Sequence, residues 1–106
     1  MKRYVPVLFA LMIGNALPAL AGETAHSYKP ASGYVPDAET AIRIAVAIWE
    51  PIYGRERIEA ERPYRASLRN GVWVVEGTLL PGTLGGVAVA EISKADATVL
   101  RVSHGK

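Results

Sequence analysis

The chain contains no cysteine among its 106 residues and only two histidines, His26 and His104. Without cysteine it has no disulfide framework, no thiolate metal site and no lipid-modified cysteine. We expect both histidines to lie in flexible ends of the chain, where neither completes a zinc site or a serine–histidine–aspartate triad. The sequence therefore predicts no metal, no cofactor and no catalytic residue.

The chain also lacks an apolar run as long as the roughly 20 residues that span a bilayer. Its longest run, Tyr4–Gly14, follows the basic segment Met1-Lys2-Arg3 and precedes the small-residue segment Ala19-Leu20-Ala21. This order is typical of a secretory signal peptide, here residues 1–21, cleaved after Ala21. We expect a mature protein without a membrane segment, and the absence of cysteine fits the periplasm better than a eukaryotic secreted miniprotein.

Without the predicted signal peptide, the chain has no net charge of either sign. Of the 12 basic residues, Lys2 and Arg3 lie in the predicted signal, so the mature chain carries ten basic and ten acidic residues. The basic isoelectric point of the whole chain therefore does not indicate a basic surface, and nucleic-acid binding is excluded.

The mature chain is small, because removal of 21 of the 106 residues leaves 85. A domain of this size buries about 60–65% of the surface of its unfolded chain. A bound protein, or a second copy in a homodimer, would bury more apolar surface.

The first part of the mature chain predicts an arm followed by a long helix. Residues 22–35 contain Pro, Gly and Ser without periodicity, which indicates a flexible arm that Tyr28, Tyr34 and Val35 could attach to the body. Asp37 is a typical N-cap for a helix over Ala38–Glu50, which Pro51 should end or kink. Its buried face is predicted to comprise Ala38, Ala41, Ile42, Ala45, Ile48, Trp49 and Ile52.

The charged segment Arg55–Glu61 follows, with Ile58 as its one large apolar residue. It predicts a short second helix fixed by Ile58. Its charged side chains either form a solvated face or contact a partner, and Arg55 and Glu56 are our candidates for partner contact.

Four strands are predicted beyond this segment. The first alternates apolar and polar residues from Tyr64 to Arg69, and Asn70-Gly71 favours a two-residue type I′ turn. The second, Val72–Leu79, is nearly continuous in apolar character, which indicates a central strand covered on both faces, and Gly77 within it marks a bulge or a close approach. The remaining two are Val87–Ile92 and, after a turn at residues 94–97, Thr98–Val102. Residues 36–106 therefore form an α+β domain, with a long and a short helix on a four-stranded antiparallel sheet.

A glycine-rich segment between the second and third strands is the main site candidate. It lacks the Gly-Lys-Ser/Thr ending of a phosphate loop and leads into a strand. It is either a plain strand connection or a protruding loop that offers apolar contacts to a partner. The candidate partner-binding residues are Leu79, Leu80, Pro81, Gly82, Thr83, Leu84, Gly85 and Gly86.

Two other functional classes stay open. Glu76 and Tyr64 could line a pocket on the concave sheet face of a small ligand-binding protein or enzyme. In the alternative, purely structural interpretation, Glu76 points to solvent or pairs with an arginine across the sheet. The third class is a structural periplasmic domain that pairs through its sheet edge.

A resemblance favours one class. The sequence is similar to bacterial immunity proteins with the small nuclear transport factor 2-like (cystatin-like) fold, from Tyr34 to Lys106. The similarity is carried by Ala41–Ala45, Pro51–Gly54, Arg62-Pro63-Tyr64, Gly71–Leu79, Gly85-Gly86-Val87 and Ile92-Ser93-Lys94. It implies a protein that binds and neutralises a toxin delivered by neighbouring cells. For an exported copy, that toxin would act in the periplasm, as a cell-wall-degrading enzyme does, and would be inhibited by occlusion of its active site.

Overall fold

A computed structural model describes residues 26–105, so the predicted signal peptide of residues 1–21 lies outside the described residues. The predicted α+β fold is confirmed: two helices pack on a four-stranded antiparallel sheet with strand order β1-β2-β3-β4. The elements are α1 (Ala38–Tyr53), α2 (Arg55–Glu59), β1 (Arg65–Arg69), β2 (Val72–Glu76), β3 (Ala88–Ser93) and β4 (Val99–His104).

Helix α1 begins at the predicted cap, where Asp37 Oδ1 accepts a hydrogen bond of 2.8 Å from the Thr40 N–H. The prediction that the helix ends at Glu50, before Pro51, is wrong, since α1 continues to Tyr53 with Pro51 inside it. A proline this close to the end removes one N–H donor while its fixed φ stays helical. The helix stops instead at Gly54, which adopts φ 98° and donates its N–H to Glu50 O.

The N-cap makes the stability of the domain depend on pH. Hydrogen bonds from the side chain and the backbone N–H of Thr40 lower the pKa of Asp37 below its ordinary value. A depressed carboxyl pKa contributes stability above the unfolded-state pKa of about 3.9, and this stability is lost as pH falls through the folded-state pKa. We therefore expect Asp37→Ala to destabilise the domain at pH 7 and to differ less from the wild type at pH 3. Denaturant titrations at both pH values test this, and an equal difference at the two would contradict it.

The two tight turns of the sheet have the predicted positions. Asn70 and Gly71 have φ values of 48° and 78°, as a type I′ turn requires. Ala97, with φ 66°, is left-handed in the turn between β3 and β4. Three strand ends differ from the predictions: β2 stops at Glu76 rather than Leu79, β3 ends at Ser93 rather than Ile92, and β4 runs on to His104 rather than ending at Val102.

The core lies between α1 and one face of the sheet. Trp49 is fully buried and donates its indole N–H to Val89 O at 3.3 Å, while Trp73 donates to Val35 O at 2.8 Å. The expectation that β2 is covered on both faces is wrong, because Val72 and Val74 are half-buried on the face away from α1. Within residues 26–105, one helical layer packs on the sheet, and it covers one face. Ile52 is also wrongly placed in the core: 57% of it is exposed, and Tyr53 packs on the core instead.

The last residues of the predicted arm lie against the turn between β3 and β4. Val35 is completely buried, and its N–H donates to Lys94 O at 3.0 Å. The Tyr34 N–H donates to Ala95 O at 3.0 Å, but the side chains of Tyr28 and Tyr34 are exposed. Val35 thus attaches residues 34–35 to the body.

Candidate functional site

The segment from Leu79 to Gly86, here called the leucine loop, connects β2 to β3 and has a defined internal turn. The Thr83 N–H and hydroxyl both donate to Leu80 O, at 3.2 and 2.6 Å. Proline at position 81 and glycine with φ 81° at position 82 fit a type II turn over residues 80–83. The loop therefore presents its side chains from an ordered backbone.

Three leucines of this loop are exposed to solvent. Leu84 is 98% exposed, and Leu79 and Leu80 are 44% and 45% exposed. Single exposed apolar residues are ordinary, but several on one protruding loop are typical of an interaction site.

Hydrogen bonds fix both stems of the leucine loop to the body. On the stem before the loop, the Gly77 N–H donates to Ala88 O at 3.0 Å, and the Thr78 N–H donates to Glu61 O at 2.7 Å. On the stem after the loop, Val87 O accepts a hydrogen bond of 3.2 Å from the Gly105 N–H. The loop is thus anchored to Glu61, two residues after α2, and to Gly105, the residue after β4.

A buried Glu61–His104 pair beneath these stems was missed by the sequence analysis. Glu61 and His104 side chains are only 11% and 10% exposed, and Glu61 Oε2 lies 2.6 Å from His104 Nε2. The interpretation of Arg55–Glu61 as a solvated or partner-contacting run is therefore wrong at Glu61. The placement of His104 in a flexible end is also wrong, since it closes β4 and its ring centroid lies 5.1 Å from that of Tyr53.

The glycine at position 77 was the one sequence signal that another residue lies close to this stem. A Cβ atom built on Gly77 would lie 2.8 Å from Glu61 Cβ and would also overlap Glu61 Oε1. The predicted close approach at Gly77 is thus confirmed, and its neighbour is Glu61.

A groove with a cavity of about 150 Å³ separates the leucine loop from α2. Its walls include Arg57, Ala60, Glu61, Leu79, Leu80 and Leu84. Of the two helix residues proposed for partner contact, Glu56 is exposed, and Arg55 Nε lies 3.8 Å from Glu50 Oε1 with a largely exposed side chain. Neither lines the groove, whereas Arg57 does.

A larger cavity, of about 360 Å³, lies at the opposite end of the sheet, against Lys29, Gly33, Gly71 and Lys94. It contains none of the predicted site residues.

The pocket expected to hold both Glu76 and Tyr64 is not formed. The Tyr64 hydroxyl donates to Ile58 O at 2.7 Å, and its ring lies 5.7 Å from that of Trp49, on the helix side of the sheet. Glu76 alternates with the buried residues of β2 and therefore lies on the other face, opposite Arg65 in the strand register. The sheet separates the two side chains.

Within residues 26–105, no group of three or more His, Cys, Asp or Glu side chains is arranged to hold a metal ion. No helix in this part of the chain combines the length and the apolar character needed to cross a bilayer.

Comparison with known proteins decides the family. The model of the NTF2 fold immunity protein family matches residues 40–106, which include α1, α2, all four strands and the leucine loop. The chain belongs to this family. This agrees with the family that the sequence resembles.

Two curated relatives of this NTF2 fold immunity protein come from Escherichia coli (strain K12). The uncharacterized protein YhhH is 36% identical over 73 residues, covering 68% of this chain and 58% of YhhH. The uncharacterized protein YbbC is 39% identical over 67 residues, covering 62% of this chain and 55% of YbbC. The chain thus spans less than two thirds of the length of either relative. No solved structure matches it.

Proposed function

We propose that this immunity protein acts in the periplasm, where it binds a delivered toxin and occludes the toxin's active site with the leucine loop. The observation that carries this proposal is Leu84, which is 98% exposed on a loop whose two stems are hydrogen-bonded to the body. A solvent-exposed leucine on an ordered loop is suited to enter a cleft of another protein.

The energetics favour a loop of this kind. Full burial of one leucine side chain contributes about 1.5–3 kcal/mol, and three adjacent leucines can form the apolar centre of an interface. Because the internal turn and the stems already order the backbone, binding loses less conformational entropy than with a disordered segment. The exposed Arg55 and Glu56, in the helix beside the groove, suit the polar rim of such an interface.

The periplasmic location rests on the sequence pattern of residues 1–21. An inhibitor that works by binding must share a compartment with the toxin, and a cell-wall-degrading enzyme acts outside the cytoplasmic membrane. If residues 1–21 direct export, the toxin must therefore be one that acts in the periplasm.

Co-expression tests the proposal in cells. The candidate toxin is the product of the open reading frame beside this one, expressed with an export signal in a sensitive host. We expect the full chain to restore growth, and we expect a chain lacking residues 2–21 to give no protection. Equal protection by both forms would contradict periplasmic action.

The same assay tests the loop. We expect Leu84→Asp to abolish rescue, because it places a charge at the centre of the apolar contact, and Gly85→Arg to act in the same direction. The matched control is Leu100→Asp. Leu100 is 53% exposed and lies near the start of β4, at the end of the strand that is far from the leucine loop. Rescue that survives Leu84→Asp at equal protein level would exclude the leucine loop as the site.

A further inference from the structure

The side chain of Glu61 lies where four segments of the chain meet. It follows α2, and its neighbours are Gly77 on the stem before the leucine loop, Ala88 on the stem after the loop and His104 at the end of β4. A buried carboxylate is costly unless its oxygens have partners, so the contacts of Glu61 indicate what it does there.

All three oxygens of Glu61 accept hydrogen bonds from these segments. Oε1 accepts from the Ala88 N–H at 2.8 Å, Oε2 lies 2.6 Å from His104 Nε2, and the main-chain oxygen accepts from the Thr78 N–H at 2.7 Å. Thr78 and Ala88 flank the leucine loop, one on each stem. One residue therefore holds the two stems together.

The partners of His104 complete the arrangement. Its Nδ1 lies 2.9 Å from Gly105 O, and its Nε2 faces the Glu61 carboxylate. A carboxylate oxygen accepts hydrogen bonds, so a proton on Nε2 of the ring donates to Glu61 Oε2. The distance of 2.6 Å is short, as is typical of a hydrogen bond to a carboxylate.

Two glycines allow the stems to approach this pair. The Gly77 backbone lies directly on the Glu61 side chain, and a Cβ built on Gly86 would lie 2.5 Å from Gly105 Cα. Any larger residue at either position would separate a stem of the loop from the segment that holds it.

We infer that Glu61, with His104, is the positioning residue of the leucine loop: it fixes the two stems and the α2 side of the groove, and so orders the loop before the toxin binds. This inference rests on the proposed function, in which the leucine loop is the toxin-binding site. Glu61 itself need not touch the toxin, because it is buried.

Hydrogen exchange on the free, full-length protein tests the positioning role without any toxin. We compare the wild type with Glu61→Ala, Glu61→Gln and His104→Asn, and use Glu59→Ala as the control because Glu59 is an exposed glutamate two residues earlier. We expect Glu61→Ala to accelerate exchange of the Ala88 and Gly105 amides by about tenfold or more, with the Val75 amide unchanged. Glu61→Gln keeps an acceptor for the Ala88 N–H and should have a smaller effect.

Unchanged exchange at Ala88 in all three variants would overturn the inference. If Glu61→Ala does not fold, Glu61→Gln and His104→Asn still decide, because each alters one member of the pair and keeps a polar side chain in its place.

Affinity for the toxin then separates the two hypotheses. Faster exchange together with about tenfold weaker binding by Glu61→Ala, and partial recovery by Glu61→Gln, supports both. Faster exchange with unchanged affinity would leave the positioning role in place and contradict the leucine loop as the binding site.

Discussion

Replacement of Trp49 by alanine is expected to lower the free energy of unfolding by about 3–5 kcal/mol, as is typical of removing a large aromatic side chain from a core. Trp49 is fully buried, and its ring lies 5.7 Å from that of Tyr64, at a tilt of 55°. The substitution would also leave Val89 O without its indole donor. Because small domains are stable by only about 5–15 kcal/mol, we expect this variant to be partly unfolded at 37 °C.

Denaturant titration measures this effect, and the same helix supplies a control. Ile52→Ala removes a side chain that is 57% exposed and should change the stability by less than about 1 kcal/mol. A loss below 1 kcal/mol for Trp49→Ala would show that the helix does not pack on the sheet as described.

Replacement of Gly77 by alanine is expected to cost about 2–4 kcal/mol, because the added methyl group forces Glu61 away from its buried partners. The clash involves the Cβ of Glu61 as well as its carboxylate, so a change of rotamer alone does not relieve it. Thermal or denaturant unfolding of the variant measures the loss.

A double-mutant cycle identifies the cause of that loss. If the cost arises from displacement of the Glu61 carboxylate, then Gly77→Ala combined with Glu61→Ala should be less destabilising than the sum of the two single changes. Because alanine at position 61 keeps its Cβ, additive effects would indicate that the cost does not arise from the carboxylate.

Local chemistry made several elements predictable from the sequence. The carboxylate of Asp37 fixes the start of α1, Asn70-Gly71 fixes the first hairpin, and Ile58 is fully buried in the short helix where it was expected. Each of these depends on a few neighbouring residues, which are visible in a single sequence.

The errors concern features that depend on distant residues. The apolar run of β2 does not tell whether one face of the sheet or both will be covered, because that depends on how many helices pack on it. Similarly, nothing near Glu61 in the sequence shows that His104, 43 positions later, will meet it. A charged run is usually solvated, and only the folded topology places one of its members in the interior.

The glycines and leucines of the leucine loop identified it in the sequence as a candidate site, but the shape of its surroundings could not be predicted. Gly82 and Gly85 adopt positive φ values, and Leu84 is nearly fully exposed, as a protruding loop requires. The groove against Arg57 and Ala60 arises from tertiary contacts between α2 and the loop. The proposed partner surface therefore includes residues that the sequence analysis did not select.

The affinity of the purified mature chain for the toxin encoded beside it, measured by calorimetric titration, tests the account most directly. We expect Leu84→Asp to weaken binding by about 30-fold or more, equivalent to about 2 kcal/mol, as for a central apolar contact. Leu100→Asp, the control in β4, should bind within about twofold of the wild type, as expected for a residue outside the contact surface. Wild-type affinity in the Leu84→Asp variant would contradict the claim that the leucine loop occludes the toxin.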